Sequence, residues 1–448
     1  MTAGPGGLSS KHGPALDLPG RFMILAMVML AAVAVASPVA YPLLLDGFYA
    51  PRLLAFVHLN TLGVIAAILL GASYQLIPVV LQTPLASVSL GRISFWFFIA
   101  GILFFLPGIL VTWRPGLVLG AALAFAGMVL YVAVVVLTLR SAPHLDVVSW
   151  HITLALAGLV GGLVVGLLLA VSKGTAALGA SIFRILAAHA TLMLAAWVVV
   201  MLNGVAYRLV GMFTLSEDQL WHRTAWAELF FSAGGAWLLA GGLLADAPRT
   251  VLGAGALAIL FGQLPFGAQL LHLYHVRRRR GFDIHIPYVL TAIACGLLAS
   301  LLLVVGFVDG RSMNSSLWVA IGWLAIGGIA ISAIQGFFYK IATFLVWLHR
   351  YAPVAGRTRV PRLEDLYDRR LAKTGWIFWV GAQAGSLAAI FLSNRSLATA
   401  AGIAALAGLG CFLVNVARMA AHVWPAMTTT QDAVHGGVPR IGKEGRIS

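Results

Sequence analysis

Twelve apolar runs, each long enough to cross a bilayer as a helix, limit the folds open to this chain. Of its 448 residues, 61% are hydrophobic and only 10% are charged. This composition predicts an all-α, polytopic membrane protein with twelve transmembrane helices. The runs begin near Arg21, Leu53, Ile93, Pro115, Val147, Ile182, Thr224, Val251, Ile286, Leu317, Thr374 and Leu397.

The two ends of the chain differ from its apolar part. Residues 1–20 are rich in Gly, Pro and Ser, and residues 426–448 are polar, so we expect both to be disordered tails. They flank a membrane domain over residues 21–425. The first apolar run is full length and follows no basic region, which predicts a retained anchor rather than a cleaved signal peptide.

The basic residues are distributed unevenly between the two sides of the predicted bundle. With the N-terminus inside, 20 of the 29 Lys and Arg residues lie in inner segments and 7 lie in outer loops. This positive-inside bias predicts cytoplasmic termini and a bacterial-type inner membrane. The net charge of +15 is therefore interpreted as orienting the protein and contacting anionic lipid, and we expect no nucleic-acid partner.

One short phrase, Gly-x-x-Tyr followed by a polar residue, occurs in the second, sixth and tenth apolar runs. Its glycines are Gly71, Gly204 and Gly336, at intervals of 133 and 132 residues. Even spacing of this kind predicts an internal repeat. The repeats would cover about residues 21–145, 146–280 and 281–425, each with four helices in the same orientation. We therefore predict three parallel four-helix units related by an axis along the membrane normal.

The residues of this phrase have two interpretations. Gly permits close helix approach in lipid, and Tyr is favoured at the membrane interface, so the phrase could serve packing and anchoring alone. Alternatively, its polar side chains line a vestibule at the inner side of the membrane. The vestibule candidates are Tyr74, Gln75, Tyr207, Arg208, Tyr339 and Lys340, together with Glu228 from the seventh run.

In the second and sixth runs, a histidine lies at the end away from the Gly-x-x-Tyr phrase. His58 precedes Tyr74 by 16 residues, and His189 precedes Tyr207 by 18. At 1.5 Å per residue, both lie roughly 24–27 Å outward of the tyrosines. A neutral imidazole at this position could bind heme iron or copper, or could simply donate to a backbone carbonyl.

Twelve helices in three parallel units, with outer histidines in the second and sixth, resemble the heme–copper oxidase superfamily. The chain resembles cytochrome c oxidase subunit I over about 400 residues. Within that superfamily it is similar to the divergent, NnrS-like twelve-helix branch. The resemblance implies three helix arcs around a pseudo-threefold axis. It also implies that His58 is an axial ligand of a low-spin heme b and that His189 ligates copper.

The resemblance does not extend to the full ligand set of that superfamily. The copper site there needs a His pair in the seventh helix, and this seventh run has no His. The tenth helix there supplies His-x-His, whereas the only His of this tenth run is His349, at the opposite end. A complete oxygen-reducing centre is therefore not expected.

Ionisable residues inside a membrane are functional candidates by default, because their burial is costly. His151 follows Trp150 at the start of the fifth run and is either an interface anchor or a metal ligand. Glu228 is the only acidic residue well inside an apolar run, and pairing with Arg208 or Lys340 is its structural interpretation. His272 and His275 are one turn apart and could bind metal, although four adjacent arginines favour a membrane boundary.

Three functions remain open from the sequence. The first is an oxidase-like membrane protein that binds heme b or copper through His58, His189 or both, for electron transfer or handling of nitric oxide or oxygen. The second is a cofactor-free transporter or permeation protein for a neutral solute. The third is an assembly partner of an oxidase or denitrification complex. The sequence does not decide whether the chain is an enzyme.

Overall fold

The computed structural model describes residues 16–175, 177–278, 283–309 and 316–423. Within these ranges the chain is all-α and contains twelve helices long and apolar enough to span a membrane, as predicted. Their first residues lie within five positions of the predicted starts. The first helix begins at Asp17, inside the predicted tail 1–20, and the predicted tail 426–448 lies outside the described residues.

We number the membrane helices in chain order. They are α1 Asp17–Leu45, α2 Pro51–Val80, α3 Val88–Leu110, α4 Arg114–Arg140, α5 Val147–Ser172, α6 Gly179–Thr214, α7 His222–Leu244, α8 Arg249–His275, α9 His285–Val308, α10 Ser316–Arg350, α11 Arg369–Leu392 and α12 Arg395–Ala421. His58 and His189 lie at one end of α2 and α6, which we call the histidine end. Tyr74, Tyr207 and Tyr339 define the tyrosine end.

Small residues bring three pairs of successive helices into close contact. Helix α3 packs along α4, α7 along α8, and α11 along α12. A Cβ on Gly101 would lie 2.5 Å from the backbone nitrogen of Ala124, and one on Gly235 would lie 2.7 Å from that of Ile259. Gly408 approaches Trp379 in the same way. Backbone contact of this kind is how helices associate in lipid, where apolar side chains gain little from leaving the bilayer.

The helix pairs join into a closed ring. Helix α4 packs on α5, α8 on α9, and α12 returns to pack on α1. Inside this ring, α2 and α10 are the most buried of the twelve helices. They meet at mid-length, where α6 also contacts α10. The functional candidates of α2, α6 and α10 are therefore held in the interior of the bundle.

Helices α2, α6 and α10 share a second feature that the sequence did not reveal. Each contains a π-helical segment, Leu59–Ala66, Thr191–Val199 and Leu324–Ile331 respectively. Each segment ends five residues before the glycine of the Gly-x-x-Tyr phrase. π-Helical turns are rare and are frequent at functional sites. Their matching position adds a structural correspondence to the sequence repeat.

Candidate functional site

The two candidate ligands, His58 and His189, line one cavity at the histidine end. The cavity has a volume of about 170 Å³ and lies among α2, α3, α4, α5 and α6. Its walls are mostly apolar, and the other polar or soft side chains are the Thr61 hydroxyl, the Trp197 indole, and the thioethers of Met128 and Met193. The spacing of the histidines from the tyrosines placed both at a similar depth, and the structure brings them to the same space.

The backbone fixes the orientation of both imidazoles. His58 Nδ1 lies 2.8 Å from the carbonyl oxygen of Leu54, one turn earlier in α2, and its ring packs on Phe105 at 4.9 Å between centroids. His189 Nδ1 lies 2.9 Å from the carbonyl oxygen of Gly162 in α5. A carbonyl only accepts, so Nδ1 carries the proton in both rings. In the neutral imidazole, Nε2 then keeps its lone pair, the tautomer used by metal-ligating histidines.

Glycines of α5 make room for the His189 ring. A Cβ on Gly166 would lie 2.7 Å from His189 Cε1, and one on Gly162 would lie 2.4 Å from the sulfur of Met193. His189 and Met193 therefore both contact α5 at Gly162, on one face of α6. Because Gly162 and Gly166 have no side chains, the imidazole of His189 and the thioether of Met193 can both reach the cavity.

The donors of this cavity fit a copper ion better than a heme. Imidazole nitrogen suits copper, and thioether sulfur selects Cu(I). Among the described residues, no group of three or more His, Cys, Asp or Glu side chains could hold a metal, so any ion here would depend on the two imidazoles and the thioethers. A volume of 170 Å³ is below the roughly 300–1,000 Å³ of ordinary small-molecule pockets, and a heme does not fit the cavity as it stands.

His151 occupies a different site from His189. It is fully buried in α5, near the tyrosine end. Its Nδ1 lies 2.7 Å from the carbonyl oxygen of Val147, and its Nε2 lies 2.7 Å from Glu228 Oε2. Eleven residues of α5, or roughly 16 Å, separate His151 from Gly162, where His189 is bound. The structure thus does not bring His151 and His189 to a common metal site.

Glu228 has other partners than the predicted Arg208 or Lys340. Besides His151, three side chains donate to its carboxylate, which is fully buried. Asn203 Nδ2 and Ser232 Oγ lie 2.9 and 2.8 Å from Oε1, and the Tyr207 hydroxyl lies 3.2 Å from Oε2. Both oxygens are therefore doubly hydrogen-bonded, which offsets the desolvation of the carboxylate.

The glycine of the second Gly-x-x-Tyr phrase positions this network. A Cβ on Gly204 would lie 2.4 Å from His151 Cβ, so α5 and α6 approach each other only because position 204 has no side chain. Tyr207 lies one turn further along α6 and shares this face, and its ring meets that of His151 at 5.6 Å. In this repeat, the phrase brings a tyrosine hydroxyl and an imidazole to one carboxylate.

The other vestibule candidates are dispersed. Arg208 lines a small cavity of about 70 Å³ among α2, α5, α6 and α10, and its guanidinium lies 3.4 Å from Glu217. Tyr74 bonds the Ser94 hydroxyl at 2.8 Å. Gln75 is half-buried in α2. The structure therefore does not gather the candidates into one vestibule.

The third repeat has its own polar cluster at the tyrosine end. Tyr339 accepts from Asn415 Nδ2 at 3.2 Å, and Lys340 forms an ion pair with Asp283, which precedes α9. Burial would raise the pKa of Asp283, but its bond with His285 and the charge of Lys340 outweigh burial and hold that pKa below its usual range. Asp283 was missed because it lies outside every apolar run.

Two further histidines, His272 and His422, have structural contacts. His272 stacks on the Trp221 ring at 4.2 Å between centroids, at the tyrosine end of α8. His422 Nδ1 lies 2.8 Å from the Tyr351 hydroxyl. For His272 this agrees with a boundary role rather than the alternative of a metal pair with His275.

The comparisons with known proteins give no independent assignment. No protein-family model matches the chain, and no curated protein matches it with significant similarity. The cavity of His58 and His189 and the hydrogen-bond network of Glu228 are therefore the two features that bear on function.

Proposed function

We propose that the chain is an oxidase-like integral membrane protein that holds a metal at its histidine end. Its helices would form three parallel four-helix arcs around a pseudo-threefold axis. Three correspondences support this arrangement: the spaced Gly-x-x-Tyr phrases, the π-helical segments that precede them, and the repeated packing of α3–α4, α7–α8 and α11–α12.

The observation that carries the metal assignment is the shared cavity of His58 and His189. Both rings donate from Nδ1 to a carbonyl, which leaves both Nε2 atoms available in the same apolar space. Copper fits this donor set, and heme b is the alternative that the resemblance implies. A copper ion held there would supply one-electron redox chemistry and a binding position for a small gas.

The residues of the cavity define what such a site would do. His58 and His189 would bind the ion, the Leu54 and Gly162 carbonyls would hold the imidazoles in the ligating tautomer, and the apolar walls would exclude water. Only two histidines are present, so we propose electron transfer or handling of nitric oxide or oxygen rather than complete oxygen reduction.

Copper and heme content after purification tests the assignment. We expect copper in the wild-type protein, and a loss of at least about tenfold in copper affinity on His58→Ala or His189→Ala, because each removes a ligand. The matched control is His349→Ala, which changes an exposed histidine at the tyrosine end. Full metal or heme retention by both cavity variants would disprove the site. A Soret band that depends on His58 would favour heme over copper.

We further propose that the tyrosine end faces the cytoplasm of a bacterial-type cell, with the protein in the inner membrane. The support is the excess of Lys and Arg in the connections at that end. Cysteines introduced at Ser141 or Thr358, in connections at the tyrosine end, should react with an impermeant maleimide only after the membrane is opened. Cysteines at Thr112 or Asp246 should react in intact cells. The reverse pattern would invert the orientation.

A further inference from the structure

The buried pair of His151 and Glu228 holds a proton whose presence follows from the hydrogen bonds. His151 Nδ1 must be protonated, because its partner is the Val147 carbonyl. The 2.7 Å contact of Nε2 with Glu228 Oε2 then requires one proton between these two atoms. The pair is either imidazolium with carboxylate or imidazole with carboxylic acid, and both forms have zero net charge.

The carboxylate of the pair is surrounded by hydrogen-bond donors. Asn203, Ser232 and Tyr207 all donate to the carboxylate, which makes four hydrogen bonds with the one from His151. These groups come from α5, α6 and α7. From α8, the Phe266 ring packs on Tyr207, and Gly262 packs against Ser232. No Lys or Arg side chain forms an ion pair with Glu228 in the described part of the chain.

Packing alone does not require these charges, because the corresponding contacts in another repeat are neutral. Phe22 of α1 contacts Gly71 as His151 contacts Gly204: a Cβ on Gly71 would lie 2.8 Å from that of Phe22. Ser94 is the seventh residue of α3, as Glu228 is of α7, and it bonds the tyrosine of its own repeat.

The third repeat also lacks the pair. Tyr288 of α9 contacts Gly336, and Gly375 is the seventh residue of α11. The same helix contacts are thus made twice without an imidazole–carboxylate pair. The pair in the second repeat is therefore an addition to a working packing arrangement, at a position where a buried charge is costly.

We propose that His151 and Glu228 form a proton-binding site inside the membrane domain. The pair holds one proton at rest; uptake of a second converts the carboxylate to a carboxylic acid and leaves the pair with one positive charge. Release of that proton restores the carboxylate. The Tyr207 hydroxyl donates to Oε2 at rest and would accept from the carboxylic acid once that oxygen is protonated, since a hydroxyl can do either. This site is separate from the metal cavity and does not depend on it.

Infrared difference spectroscopy on the full chain in lipid nanodiscs tests the site. The chain contains four glutamates, Glu217, Glu228, Glu364 and Glu444, so labelling with ¹³C-carboxyl glutamate assigns a glutamate band without mutation. On acidification we expect a labelled carboxylic-acid C=O band at the high frequency of a buried acid, with a shift in D₂O. Glu228→Gln should remove it, and Glu217→Gln should retain it.

A second variant guards against a folding failure of Glu228→Gln. His151→Phe combined with Glu228→Ser copies the residues of the first repeat, and it should fold without the band. Tyr207→Phe should keep the band but raise its frequency, because the carboxylic acid then lacks the hydroxyl as its acceptor. The proposal is overturned if the band survives in the folded double variant, or if folded wild-type protein shows no such band on acidification. An unchanged frequency in Tyr207→Phe would overturn the role of its hydroxyl.

Discussion

Replacing Glu228 by Ala is expected to lower the free energy of unfolding by about 3–5 kcal/mol. The substitution leaves the His151 imidazole, Asn203, Ser232 and Tyr207 without their common acceptor, in a site with no exposure to solvent. The imidazole can release its proton and become neutral, but the three donors that faced the carboxylate are then buried without an acceptor. Reversible denaturant unfolding of the purified protein in detergent micelles would measure the change.

Two controls separate the loss of this pair from a general effect of removing a carboxylate. Glu217→Ala removes a half-exposed partner of Arg208 and should change the stability by less than about 1 kcal/mol. His151→Phe with Glu228→Ser removes both partners and should be more stable than Glu228→Ala, because the introduced serine hydroxyl can pair with Tyr207, as Ser94 pairs with Tyr74. Equal stability of Glu228→Ala and the wild type would show that the network does not hold the helices together.

Gly204→Ala is expected to destabilise the protein by about 1–3 kcal/mol through overpacking. The added methyl group would lie 2.4 Å from His151 Cβ, and neither atom is at the end of a flexible side chain. Helices α5 and α6 would have to separate, which lengthens the bonds of His151 and Tyr207 to Glu228. The same unfolding measurement applies, and the infrared band of Glu228 should shift as these bonds weaken.

The matched control is Gly241→Ala in α7, where an added Cβ would have no neighbour within 4 Å. This change should be neutral or stabilising, by up to about 1 kcal/mol, because Ala favours the helix over Gly. If both variants were equally stable, the close approach of α5 and α6 would not depend on the glycine.

The helices were predictable because the bilayer imposes a length and a composition that are read directly from the chain. All twelve predicted runs correspond to helices, since about 20 apolar residues in succession have few other stable states. The Gly-x-x-Tyr spacing also identified the helices that lie inside the ring. Apolar runs and repeat spacing are properties of the linear sequence. They can be recognised without knowing how each helix is rotated about its axis.

The partners of Glu228 were not predictable in the same way. The sequence predicted an ion pair with one of the two cations inside the apolar runs, Arg208 or Lys340. The structure instead pairs Glu228 with His151. The choice depends on how α5, α6 and α7 are rotated about their axes, and apolar runs carry almost no periodic signal for rotation. The separations of four residues between Asn203 and Tyr207, and between Glu228 and Ser232, were the available indications of shared faces.

In α2, α6 and α10, the π-helical segment determines the rotation about the helix axis that relates the histidine end to the tyrosine end. A π turn contains an extra residue, so it resets the phase of everything that follows relative to a continuous α-helix. A continuous α-helix with the same number of residues over Thr191–Val199 would rotate His189 by about 100° relative to Gly204. The cavity of His58 and His189 and the hydrogen-bond network of Glu228 could then not both include residues of α6. The number of residues between the two ends, together with the helix type, therefore determines how the two ends face, whichever side chains those residues carry.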